Sequence, residues 1–320
     1  MPHRLSIAIG AALLVLASAT HAQSPAPAAT SAPELLRVGQ YGVQASTLGS
    51  GRYTVIFESG FGRDLNVWRH VAPAVAKSNK VFTYSRSGHG RSEARPATPT
   101  LASRTDELEQ LIAAAGLTPP FILVGHSYGG FLIRSYAARH PGQVAGMVFV
   151  DPSDEHQNIE LRKLDPAGVD SDTRLLAQFM PPKLQPELGQ VQAILDSGKL
   201  ELAGPLPDVP VAVLTSVQRR EKPQLFLETP AAVAVWRDLH ARFFRGFRSG
   251  VHVVTPHSGH NIHQEQPQLV IDAVEQVIAA AETARTAREK EQAGKKVRPW
   301  RMGGAPTQAH HSSHIVRRLV

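Results

Sequence analysis

The chain has 320 residues, 42% apolar and 19% charged, with no cysteine. That supplies enough apolar material for a substantial core. The absence of thiols excludes disulfides, thiolate metal sites and a cysteine nucleophile. The net charge of +7 sits in the C-terminal tail, where residues 283–320 hold nine Lys/Arg against two Glu. The remainder is neutral overall and lacks the fold-wide basic footprint of a nucleic-acid-binding protein.

At the N-terminus, His3 and Arg4 precede an apolar run, Ile7–Ala17, and small residues up to Ala22. This order predicts a secretory signal peptide over 1–22, cleaved after Ala22, and export to the periplasm or medium. The run is about half as long as the roughly 20 residues a membrane span needs. Residues 23–33 (QSPAPAATSAP) read as a Pro/Ala linker.

From there, strands alternate with helices. Tyr53–Phe57 is a short β-branched run entering the turn Ser59-Gly60-Phe61-Gly62, and Leu65–Ala76 has helical spacing. Lys80–Tyr84 is a strand followed by a Gly-rich loop, Arg86–Ser92. Leu101–Ala115 is a helix stopped by Gly116. Phe121–Val124 is a strand and Tyr128–Arg139 a helix. Gly146–Val150, Val209–Leu214 and Val251–Val254 are further strands, and a last amphipathic helix starts at Pro267. This alternation predicts an α/β architecture, with a mostly parallel sheet covered by helices on both faces. Residues 152–208 break the rhythm with Pro and Leu. They read as a small helical lid at the carboxyl edge of the sheet, where open α/β folds bind ligands. Leu176, Phe179 and Met180 are its candidate pocket residues.

The strongest motif is Gly125-His126-Ser127-Tyr128-Gly129, placed directly between a strand and a helix. A serine in so sharp a turn lifts its hydroxyl above the sheet, and the following N–H faces the oxygen that becomes anionic in acyl transfer. Around this motif, the chain over Leu35–Ala281 resembles the α/β-hydrolase fold family. Phe57–Gly62 is similar to that family's oxyanion loop, with Ser59 where a histidine is usual. Tyr84–Ser92 resembles the loop after the next strand, Gly125–Gly129 the nucleophile elbow, and Ser258-Gly259-His260 the late Gly-His that carries the base.

The resemblance implies Ser127 as nucleophile, His260 as general base, and the Phe61 and Tyr128 backbone N–H groups as the oxyanion hole. The remaining nearby histidines, His252, His257 and His263, read as surface or core residues, and His126 as a structural one. The acid of the triad usually follows the strand that is here Val209–Leu214, but no acid stands there before Glu221. Some relatives carry it one strand earlier, in an Asp-Pro context like Asp151-Pro152. That leaves Asp151 as first choice, with Glu221, Asp154 and Glu155 as alternatives. The implied activity is that of an exported serine hydrolase cleaving an ester or related acyl bond of a small molecule, with no cofactor and no metal. Carbon–carbon bond hydrolysis, peptidase or acyltransferase chemistry on the same serine are alternatives, as is a non-catalytic binding protein on the same scaffold. The expected organisation is a hydrolase domain over 34–282 and a disordered basic tail over 283–320. His310, His311 and His314 lie in that tail.

Overall fold

Central strands with apolar residues at every position must be covered on both faces, and the sheet here is built that way. The computed structural model describes residues 32–296, so the expected signal peptide, most of the linker and residues 297–320 lie outside the described residues. In chain order, β1 (Glu34–Val38) and β2 (Tyr41–Leu48) form a hairpin, followed by β3 (Thr54–Glu58). Next come α1 (Ala72–Val75), β4 (Lys80–Tyr84), α2 (Leu101–Ala114), β5 (Phe121–His126), α3 (Gly129–Arg139) and β6 (Val144–Val150). The lid contributes α4 (Gln157–Arg162), α5 (Pro166–Phe179) and α6 (Gln185–Ser197). The chain then returns through β7 (Val211–Ser216), α7 (Pro230–Phe244), β8 (Gly250–Thr255), α8 (Ile262–Glu265) and α9 (Pro267–Lys296).

The eight strands pair in the order β1-β2-β4-β3-β5-β6-β7-β8, and all pairings from β4 to β8 are parallel. This is the α/β architecture expected from the sequence. Alternate residues of one strand feed two cores. Val55, Phe57, Ile122 and Val124 pack with Trp68, Val71, Val270 and Val274 on one face. Ile56, Phe121, Leu123, Phe149 and Val213 pack with Leu108, Leu111, Ile133 and Tyr136 on the other. The chain leaves β3 toward β4 and then returns to the opposite side as β5. The crevice above the carboxyl ends of β3 and β5 is therefore the topological switch point at which such sheets bind ligands.

Several element boundaries differ from the sequence reading for identifiable reasons. The single helix expected over Leu65–Ala76 is a 3₁₀ turn at Leu65–Trp68, capped by the Asp64 carboxylate, followed by the separate α1 with Pro73 in its first turn. Proline has no N–H to continue an earlier helix, so the helix restarts around it. Pro210 likewise delays β7 to Val211. The last helix runs on to Lys296, past the boundary expected at 282. The expectation of disorder is therefore corrected for 283–296. There Arg285 bridges Glu282 and Glu289 one turn either side, and Glu282 accepts from the Tyr53 hydroxyl at 2.9 Å. Among the described residues no helix is long and apolar enough to cross a membrane.

The lid is fastened from below. Glu187 at the start of α6 is buried and receives two hydrogen bonds from Arg104 of α2, at 2.8 and 2.9 Å. Asp172 of α5 caps two backbone N–H groups, Phe226 and Leu227, each at 2.9 Å.

Candidate active site

Five loops at the carboxyl edge bring the sequence-predicted residues to one cavity of about 460 Å3. Gly60 and Phe61 follow β3, and Ser127 and Tyr128 follow β5. Asp151 follows β6, Ser216 ends β7, and His260 follows β8. All of them line the cavity.

The elbow after β5 needs both of its glycines for space. A Cβ on Gly125 would meet the Gly129 carbonyl oxygen at 2.6 Å, and one on Gly129 would meet the Glu58 carbonyl oxygen at 2.4 Å. Between them Ser127 is held at φ 53°. The only other non-glycine in this region among the described residues is Asp151, at φ 43°. Each such conformation costs on the order of 1–3 kcal/mol and persists only where surrounding bonds impose it. Here the Ser127 N–H donates to the Val150 carbonyl at 3.2 Å and its carbonyl accepts from Gly130 and Ser153. The Asp151 N–H donates to the Leu214 carbonyl at 2.8 Å.

Asp151 is 2% exposed, and its carboxylate is fully engaged. Oδ2 accepts from Nδ1 of His260 at 2.7 Å. Oδ1 accepts from the Ser216 backbone N–H at 2.8 Å and from Nε1 of Trp236 at 2.9 Å. The end of β7, where relatives usually carry the acid, thus supplies a donor to the carboxylate of the neighbouring strand. The alternatives are placed elsewhere. Glu155 is clamped by Arg134 at 2.7 and 2.8 Å. Asp154 accepts from the N–H of His156. Glu221 is exposed.

The loop carrying His260 is tied down on several sides. Ser216 Oγ donates to the Ser258 carbonyl at 2.6 Å, and the Gly259 N–H donates to Glu265 at 2.8 Å. His126, inside the elbow, donates from Nε2 to the His260 carbonyl at 2.9 Å, which fixes its tautomer. With Nδ1 on Asp151, His260 keeps Nε2 for the cavity. No hydrogen bond joins Ser127 to His260 among the described residues; the two groups share the cavity. Neither the Phe61 nor the Tyr128 backbone N–H has an acceptor among the described residues, so both donors are available to a ligand.

His252, read from the sequence as a surface or core residue, is half-buried and belongs to a chain of three groups. Its Nε2 donates to Thr215 Oγ1 at 2.8 Å, and that hydroxyl donates to Nδ1 of His240 at 2.8 Å. Nε2 of His240 in turn donates to the Pro152 carbonyl at 2.7 Å. This chain braces the turn that holds Asp151. His263 is fully buried, with its ring 4.3 Å from His126 and 4.8 Å from Trp68. His257 is exposed. Sequence reasoning missed Trp236 and His240, because both lie on α7, a helix it did not assign. Of the three lid residues expected in the pocket, Leu176 and Met180 line it, whereas Phe179 points outward and is 76% exposed.

Burial pushes the pKa of His126 well below the ordinary histidine value, helped by His260, His263 and Arg63. Burial likewise lowers His263 to about 3, with His260, Arg63 and Arg69 acting in the same direction. Both are neutral in the fold but bind protons near pH 6.5 when unfolded. The unfolded state therefore takes up more protons below that pH, and acid removes stability. The stabilisation is complete above about pH 6.5 and falls away as pH drops toward 3. By pH 5 His263 alone should cost about 2 kcal/mol, and His126 acts in the same direction. Melting temperature against pH checks this. His263→Phe should flatten the decline between pH 6.5 and 5, and an unchanged slope would contradict the assignment.

A family model for the alpha/beta hydrolase fold matches residues 53–196. The chain is 28% identical over 244 residues to the uncharacterized protein YqjL of Bacillus subtilis, covering 73% of this chain and 86% of that one. A putative lipase from Acinetobacter baumannii superposes with a TM-score of 0.57 at 19% identity, over 81% of this chain and 93% of the other. A thermophilic esterase from Thermogutta terrifontis superposes at 0.52 and 18% identity, over 78% and 99%. The chain has the α/β-hydrolase fold, and its residues 53–196 are similar to that family. Its structural neighbours are lipase- and esterase-like.

Proposed function

We propose that this protein is a serine hydrolase that cleaves an ester or related acyl bond of a small molecule through an acyl-enzyme on Ser127. The observation that carries this reading is the Asp151–His260 hydrogen bond of 2.7 Å, set in the same cavity as a serine held at φ 53°. A serine hydroxyl attacks carbonyls poorly unless a base takes its proton as the bond forms. His260 is that base, held in the right tautomer by Asp151, which also stabilises the imidazolium.

The Ser127 oxygen bonds to the carbonyl carbon while His260 Nε2 takes its proton. The carbonyl oxygen becomes negative against the unsatisfied N–H groups of Phe61 and Tyr128. Collapse expels the alcohol, which leaves with the proton from His260. Water then repeats the sequence on the acyl-enzyme and releases the acid. The Ser127–His260 hydrogen bond belongs to the substrate-bound state, since such bonds tighten when the reacting group is in place.

The lid gives the cavity an apolar wall of Leu176, Met180, Leu188, Val191 and Leu195, with Gln157 and Gln192 among them. This supports a substrate with an apolar group on one side of the scissile bond. A fluorophosphonate probe tests the reading. Wild type should label in a band that disappears in Ser127→Ala, and folded wild type that never labels would overturn it.

Export is part of the same reading, supported by the leader-like residues 1–22. A chain expressed with its leader should appear outside the cytoplasm with Gln23 as its first residue. An intact Met1 start on the active protein would reject this.

A further inference from the structure

The donor at Phe61 lies on a glycine-bearing loop, and nothing in Gly60 itself fixes which way the 60–61 peptide faces. We propose that Arg86, from the loop after β4, is the positioning residue that sets this orientation and so creates half of the oxyanion hole. This rests on the acyl-transfer reading above.

Arg86 is 1% exposed and lies beneath the loop, outside the cavity lining. Its guanidinium donates to two consecutive main-chain carbonyls, NH1 to Ser59 at 2.6 Å and NH2 to Gly60 at 2.7 Å. The same group is paired with the buried carboxylate of Glu58, which also accepts from the Tyr84 hydroxyl. A guanidinium presents its donors in a rigid planar fork, so both carbonyls are pinned together.

Geometry supplies the rest. In a trans peptide the N–H points opposite to the C=O. With the Gly60 carbonyl turned down onto Arg86, the Phe61 N–H faces away from Arg86, up toward the cavity. The loop lies between Arg86 and the nucleophile: a Cβ on Gly60 would stand 3.4 Å from the Ser127 Cβ. Glycine permits both orientations of the peptide with little steric cost. If the unit flipped, a carbonyl oxygen would face the developing oxyanion and repel it. Two carbonyls anchored on one buried cation prevent that flip. Ser59 adds a lateral tie, since its hydroxyl accepts from Trp68 Nε1 at 3.0 Å and donates to the Asp64 carbonyl at 3.2 Å.

A role in orienting a donor predicts a loss confined to the tetrahedral state. The test compares wild type, Arg86→Met, Arg86→Lys and Arg134→Met on an aryl ester, with concentrations set by active-site titration. A trifluoromethyl ketone, which forms a tetrahedral adduct on the serine, reports transition-state affinity. Arg86→Met should lower kcat by about tenfold to a hundredfold, with KM within threefold, and ketone affinity should fall in step. Arg86→Lys reaches one carbonyl and should fall between; it carries the test if the methionine variant does not fold. Arg134→Met removes another buried cation, paired with Glu155, that touches no oxyanion-loop carbonyl and does not line the cavity. It should lower melting temperature while leaving ketone affinity per active site unchanged.

Arg86 variants that keep kcat and ketone affinity within twofold, or that raise KM alone, would overturn the proposal while the hydrolase reading stands. A wild type inert to ester, ketone and fluorophosphonate would overturn both.

Discussion

Ser127→Ala is expected to lower kcat on an activated ester by about 10⁴- to 10⁶-fold, with KM changed little. The alanine keeps the cavity and both proposed oxyanion donors but removes the hydroxyl proposed to bond with the substrate carbon. His260→Ala should cost nearly as much, because the hydroxyl then loses the imidazole held on Asp151. The two losses should not multiply. Serine and histidine act on one proton, so the double variant should resemble either single one, with the residual rate coming from the oxyanion hole and substrate positioning. Single-turnover kinetics on the three variants measures this. A double variant slower than either single by the product of their effects would mean that the residues serve separate steps. A loss below a hundredfold for Ser127→Ala would point to a different nucleophile.

Asp151→Asn should lower kcat by about 10⁴-fold, with the protein fully folded. Asparagine is close to isosteric and tolerates a positive φ better than most residues, so the strained turn survives. Its amide, however, can offer an N–H to Nδ1 of His260, which favours the wrong tautomer and places a proton on the nitrogen that must receive one. Trp236→Phe probes the same carboxylate more gently. It deletes one of the two donors on Oδ1 while keeping an aromatic wall, and it should cost about tenfold in kcat, the usual scale for one hydrogen bond to a charge. Glu221→Gln should leave kcat within twofold, since Glu221 is exposed and the histidine is already paired. A large loss in Glu221→Gln with a small one in Asp151→Asn would reverse the assignment. The pair therefore discriminates between the first two of the four acids the sequence left open.

What the sequence disclosed about this site was local. The elbow is visible because two glycines, a serine and a strand-to-helix transition fall within a few residues. Asp151 is visible because a strand end followed by proline marks a turn. The supports are not visible, because they are tertiary. Trp236 meets Asp151 across 85 positions, and Arg86 meets Gly60 across 26. No periodicity or motif couples such pairs. The β1–β2 hairpin escaped notice because its residues mix polarity, and its Gly39-Gln40 connection lacks a strong turn signature. Phe179 was misplaced for a related reason. Helical spacing shows that a residue lies on a face, whereas the neighbours of α5 decide which face is covered. The lid proved legible as an insertion, but its attachment through Arg104 and Glu187 did not, since burial of both charges depends on two distant helices meeting.

Ser127 and Asp151, the two non-glycine residues in the left-handed region among the described residues, set a limit on how this protein can be improved. Glycine at 127 would relax the backbone there, yet it would erase the hydroxyl proposed to react. Selection for heat tolerance alone would favour such exchanges and yield durable, inert variants. Robustness would have to come from elsewhere, for instance the exposed faces of α5 and α9, and any screen would need to demand turnover alongside survival.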